Sequence, residues 1–219
     1  PDLDCLEDDD NCNGPYDIKE NSPTGTTIHK FAVSDVDAAD VLTLAIEDTN
    51  SRGAETLFDV KFNGDSTQME VFVKDSAKLD YEKIDPSYVV RLILTDAGGL
   101  ADTLVRVINV IDVNEAPSID DATFSIAENA KVDDEVGKVS AKDPDTKTPA
   151  YRELVYTIVD KNVPFRMDSN VVKVNGELNH EVTTTYTFKV AVTDKNDPKL
   201  TDTATVTVTI DNVNEQPDI

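Results

Sequence analysis

One ordered set of short motifs occurs twice in this chain, and that duplication limits what it can fold into. Ile18-Lys19-Glu20-Asn21 returns as Ile126-Ala127-Glu128-Asn129, and Asp35-Val36-Asp37 as Asp143-Pro144-Asp145. Leu79-Asp80-Tyr81-Glu82 is answered by Leu178-Asn179-His180-Glu181, and Thr95-Asp96 by Thr193-Asp194. Each series closes on Val-Asn-Glu-x-Pro, at Val113 to Pro117 and at Val213 to Pro217. Equivalent positions lie 98 to 108 residues apart, which is too long for a solenoid turn and suits a domain. The 219 residues divide into 1–116 and 117–219, each long enough for a core of its own.

The hydrophobic pattern inside each copy has period two. Thr203-Ala204-Thr205-Val206-Thr207-Val208-Thr209-Ile210 alternates small or polar residues with apolar ones, as a half-buried strand does. Its counterpart, Thr103 to Ile111, is rich in β-branched residues. Further strands are expected at Val89–Leu94, Glu70–Val73, Tyr186–Val192, Leu154–Val159 and Val171–Val174, with Gly, Pro, Asn and Asp between them. No long stretch has the 3.6 period of a helix. The expected fold is all-β: two tandem seven-stranded Greek-key β-sandwiches.

With 44 acidic against 20 basic residues the formal charge is −24. Such a chain repels nucleic acid and anionic membrane. Disorder is the bland reading of an acidic chain, but 39% of the residues are hydrophobic and fall in strand patterns. Acids that recur in fixed order are placed rather than scattered. Calcium takes six to eight oxygens from carboxylates, amides and carbonyls, and Asp, Glu and Asn at strand ends supply them. A sandwich with an odd number of strands is entered at one pole and left at the other. Asp112, Asn114 and Glu115, at the end of the first copy, would then meet the pole of the second, where ions draw on both.

These residues resemble the tandem extracellular repeats of cadherins. That family carries an x-E-x near its first strand, D-x-D, D-x-E, a later Asp after a strand, and a D-x-N-D-N linker followed by Pro. Both copies follow this order over essentially the whole chain. The resemblance implies about three calcium ions at the central linker. The implied ligands are Glu20, Asp80 and Glu82 of the first repeat, and Asp112, Asn114 and Glu115 of the linker, with backbone oxygens of Val113 and Ala116. Asp143, Asp145 and Asp194 complete the set from the second repeat. Eight carboxylates and one amide then face about six positive charges, and without calcium the crowded acids repel one another.

Asp35, Asp37 and Asp96 form half of an upstream site, and Glu128, Asn179, Glu181, Asn212, Asn214 and Glu215 half of a downstream one. The downstream set is poorer, because Asn179 and Asn212 stand where the family has Asp. Glu115 replaces a usual Asp and is one methylene longer. Pro1-Asp2-Leu3 matches Pro217-Asp218-Ile219, as expected for a segment of a longer ectodomain. Cys5 and Cys12 lie on an insertion at the tip of the first repeat and are expected to form a local disulfide, since the resemblance implies an extracellular chain. His180 reads as an exposed loop residue, and His29 as a strand residue.

No nucleophile motif or Gly-rich phosphate loop is present, so no enzyme is expected. The resemblance implies calcium-dependent adhesion through another cadherin, the same or different, on an apposed or the same cell. It also implies contact with neighbouring repeats and a cell-surface parent anchored by a single helix, while this segment itself touches no membrane. The rivals are a spacer in a long non-classical cadherin and a receptor module for a different protein. Strand exchange through a tryptophan is closed to this segment, which has no Trp.

Overall fold

The computed structural model describes residues 1–4, 6, 13–37 and 40–216. It holds two compact units, Pro1–Val113 and Asn114–Ile219. In the first, β1 (Asp2–Asp4), β2 (Tyr16–Lys19), β3 (Thr27–Ser34) and β4 (Thr43–Asp48) precede a single helical turn, α1 (Ala54–Leu57). The strands β5 (Phe58–Phe62), β6 (Gln68–Val73), β7 (Ser87–Thr95) and β8 (Ala101–Ile111) follow. They form two four-stranded sheets, ordered β1-β3-β6-β5 and β2-β8-β7-β4.

The sequence pattern expects seven strands, and seven are traced, with the first divided between the sheets. Its early part, β1, pairs antiparallel with β3. Its later part, β2, crosses over and pairs parallel with β8, Tyr16 opposite Ile108 and Lys19 opposite Ile111. The crossing brings Glu20, immediately after β2, to the end of β8. Period-two burial builds the core between the sheets: in β7, Tyr88, Val90, Leu92 and Leu94 turn inward and are all at most 1% exposed. Burying each such side chain is worth roughly 1.5–3 kcal/mol. Phe58 meets the Tyr88 ring edge-on at 5.6 Å. His29 is indeed a strand residue, and its ring stacks on Tyr16 at 4.0 Å.

The second unit repeats the plan with β9 (Ser118–Ile119), β10 (Ala122–Ala127), β11 (Glu135–Lys138), β12 (Ala141–Lys142) and β13 (Leu154–Ile158). After them come β14 (Phe165–Asp168), β15 (Val171–Val174), β16 (Thr185–Asp194) and β17 (Thr201–Asp211). One sheet is ordered β10-β17-β16-β13, the facing one β11-β15-β14, and β9 pairs with β12. The first strand is again divided, and β10 runs parallel to β17. The core closes on Phe165 stacked against Phe188 at 5.4 Å. Gly137 lies under the Phe124 ring, where a Cβ would stand 2.2 Å from the nearest ring carbon. Every strand expected from sequence is present. Cys5, Cys12 and their expected link lie outside the described residues, as does Pro217.

Candidate metal centre

In the first unit the parallel β2–β8 pairing decides where the acids go. The Glu20 N–H donates to the Ile111 carbonyl at 3.0 Å, and the Asn21 N–H to the Leu79 carbonyl at 3.0 Å. Glu20 is thereby held where β8 ends, beside the Leu79–Ile84 loop. Its carboxylate is only 2% exposed. One oxygen accepts the Val113 N–H at 2.8 Å and the other accepts the Tyr81 N–H at 2.6 Å. This one side chain ties the end of β2, the loop and the exit after β8. Asp80 and Glu82 flank the Tyr81 N–H, so carboxylate oxygens of Glu20, Asp80 and Glu82 all lie within 4.8 Å of one another.

Burial pushes the Glu20 pKa up to about 7. The Val113 and Tyr81 N–H groups oppose that rise, while the Glu82 charge and the Asp112 carboxyl add to it. The site is thus rich in negative charge at a place that disfavours it. Its donors are all oxygens, with no nitrogen or sulfur, the set that suits a hard divalent cation. Asp80 also pairs with Lys83.

The second unit assembles its acids from three loops. Asn114 and Glu115 enter it, Asp143 and Asp145 follow β12, and Asp194 ends β16. Asp145 and Asp194 are both 0% exposed. The Glu115 N–H donates to Asp145 Oδ2 at 2.9 Å, and the Asp145 N–H donates to Asp143 Oδ1 at 2.9 Å. Asp194 Oδ1 accepts the N–H groups of Asn196 and Asp197 at 2.6 and 2.7 Å. Asp143 Oδ2, Asp194 Oδ2 and Asn114 Oδ1 are buried without a hydrogen-bond partner among the described residues. A buried carboxylate oxygen left so is costly, and a calcium ion is a partner that such oxygens fit. Val113 is half-buried and Ala116 exposed.

The far end of the first unit holds an acid that the motif pattern missed. Oxygens of Asp35, Asp40 and Asp96 lie within 4.8 Å of one another, and Asp37 is not in that group. The Asp37 N–H bonds Asp35 Oδ1 at 2.8 Å, and the Asp40 N–H bonds the Asp37 carbonyl at 2.9 Å. Asp40 thus joins Asp35 and Asp96 in that group.

At the far end of the second unit, Glu128 repeats the role of Glu20, accepting the Val213 N–H at 2.7 Å and the His180 N–H at 2.8 Å. Those two bonds hold its pKa below the usual carboxylate value. Its neighbours are satisfied within the protein. The Asn212 amide donates to Glu181 at 2.9 Å, and Asn179 Oδ1 accepts the Val182 N–H at 2.8 Å. His180, expected to be exposed, is half-buried, with Nδ1 2.6 Å from the Ile210 carbonyl oxygen, because its loop folds back over the end of β17. Asn214 and Glu215 stay exposed. Among the described residues no three acids converge at this end.

Residues 122–211 match the family model described as "Cadherin domain". The chain is 27% identical over 210 residues to the Protocadherin-like wing polarity protein stan of Drosophila melanogaster, covering 90% of this chain and 6% of that protein. It is 30% identical over 209 residues to human Protocadherin Fat 1, covering 90% of this chain and 4% of that one. Among solved structures, Drosophila N-cadherin EC1-4 aligns over 90% of this chain and 47% of its own, with a TM-score of 0.67 and 25% identity. The chain belongs to the cadherin family. Its units are cadherin ectodomain repeats of the kind found in adhesion proteins, extracellular and not enzymes. The segment spans less than a tenth of the two named curated relatives. Among the described residues, no helix is long and apolar enough to cross a membrane.

Proposed function

We propose that this cadherin segment, with repeats at 1–116 and 117–219, is a calcium-dependent adhesion element. Glu20, Asp80, Glu82, Asp112, Asn114, Glu115, Asp143, Asp145 and Asp194 are its calcium ligands, with backbone oxygens of Val113 and Ala116. The observation that carries the reading is the set of buried oxygens with no hydrogen-bond partner among the described residues, Asp143 Oδ2, Asp194 Oδ2 and Asn114 Oδ1. About three ions bound there neutralise most of the charge of eight carboxylates. Ions that take ligands from successive segments restrict the motion of those segments, so calcium sets the reach of the chain. The partner is another cadherin, of the same or a different kind, at the cell surface of a parent held by a single-pass anchor.

Beads coated with the chain test the adhesive part. Aggregation in calcium that chelation reverses supports it. Beads that stay dispersed in calcium, while the chain still binds the ion, refute adhesion and favour a spacer.

A further inference from the structure

Forty-four acids are spread over this chain, yet one broad face of the second repeat has none in its interior. It is the outer face of the sheet β10-β17-β16-β13. Alternate residues of β17 from Thr201 to Thr209 are all threonine, and their neighbours in between are inward and mostly buried. Register places Thr185 and Thr187 of β16 beside Thr209 and Thr207. On the other side, Thr123 and Ser125 of β10 stand opposite the same two residues. The remaining outward positions of β13 and β16 are valine, alanine or threonine, except Lys189. Acids stand only at the margin. Asp121 accepts the Thr205 N–H at 2.7 Å, Asp160 accepts the Lys189 N–H, and Asp211 ends β17.

The first repeat does not share this feature. The corresponding sheet carries Glu47 paired with Arg91 at 3.3 Å, and exposed Asp17 and Lys19.

We propose that this threonine face is where a second copy of the chain docks, face to face. Charge selects the partner. Two copies of a chain with formal charge −24 repel wherever acids oppose acids, and least where the acid-free faces meet. A two-fold contact sets the same patch against itself, which suits hydroxyls, because each both donates and accepts. The β-branched methyl groups between them supply apolar area. Four strands about 4.8 Å apart and roughly eight residues long at about 3.4 Å each give roughly 500 Å² per copy. The two copies together bury about 1,000 Å², near the low end for specific interfaces, so the contact is weak and useful where many copies line up. The inference rests on the adhesion reading for its use, but the association itself is tested separately.

Sedimentation equilibrium of the whole chain in calcium, at about 100 µM, reads it directly. The expected result is a monomer–dimer equilibrium that tightens from about 0.05 to about 0.5 M salt, as the repulsion outside the face is screened. Thr187→Glu with Thr207→Glu, and Thr187→Glu alone, should each weaken association at least tenfold with melting temperature little changed. A wild-type monomer at that concentration overturns the proposal. So does dimerisation that the glutamates leave intact, which would leave the adhesion reading standing through another surface. Intact-protein mass spectra of chain secreted from animal cells give a further arm, since sugars occupying these threonines also overturn it. Beads that fail to aggregate while the chain still dimerises in solution would instead remove the adhesion reading and spare the face.

Discussion

Neutralising Glu82 should have opposite effects with and without calcium. In the first repeat, carboxylate oxygens of Glu20, Asp80 and Glu82 lie within 4.8 Å of one another. At that separation two unit charges repel by about 1 kcal/mol in water and about 3.5 kcal/mol at an effective dielectric near 20. Glu82→Gln removes two of the three pairs, which brackets the relief at about 2–7 kcal/mol. The upper end is too high for two reasons. Glu20 is partly protonated at neutral pH, with its pKa pushed up to about 7 chiefly by burial, and Asp80 pairs with Lys83. A gain of about 1–3 kcal/mol in chelator at pH 7 is the reasoned figure, or roughly 4 °C or more in melting temperature for a domain of this size. In calcium the same change removes a ligand. Stabilisation by a bound ion at about a hundred times its dissociation constant is about 2.7 kcal/mol, and most of that is lost if affinity falls a hundredfold. Calorimetric melts of wild type and Glu82→Gln, in chelator and in millimolar calcium, show the crossing. A variant less stable than wild type in chelator, or one with an unchanged calcium increment, would refute the reasoning.

Other outcomes follow from single side chains. Asp145→Ala should weaken calcium binding at least tenfold in a titration, whereas Asp2→Ala, on β1 and outside the proposed ligand set, should leave it unchanged. Gly137→Ala should cost about 1–3 kcal/mol in chelator melts, because its Cβ must displace the Phe124 ring. Asp48 accepts the N–H groups of Asn50 at 2.9 Å and Ala54 at 3.2 Å, and that of Gly53 as well. Burial raises its pKa, but those bonds together outweigh it and leave the pKa below the ordinary 3.8. A carboxyl lowered on folding contributes stability at neutral pH that is lost as pH falls through the folded value. Asp48→Asn should therefore melt lower than wild type at pH 7, with the gap closing towards pH 3.

Much of the fold was legible because its strands alternate, as β17 does between threonine and buried Ala, Val or Ile. The divided first strand was not. Tyr16–Lys19 is four residues long, and its membership of a sheet is decided by β8, some ninety residues away, rather than by its own pattern. The same crossing explains why Glu20 could be named from a motif, while its bonds to Tyr81 and Val113 could not. At the far end of the first repeat the motifs name Asp35, Asp37 and Asp96, while Asp40, whose oxygen lies with those of Asp35 and Asp96, belongs to no motif and so could not be named from spacing. The substitutions Asn179 and Asn212 were visible as lost charge. That the Asn212 amide would itself engage Glu181 needed the three-dimensional placement of both.

The central claim is that the placed carboxylates hold calcium. It meets its most direct test in a calorimetric calcium titration of the thoroughly chelated chain. About three ions bound at micromolar to submillimolar affinity are the expected result. One ion or none would contradict it and leave the linker a hinge that calcium does not stiffen.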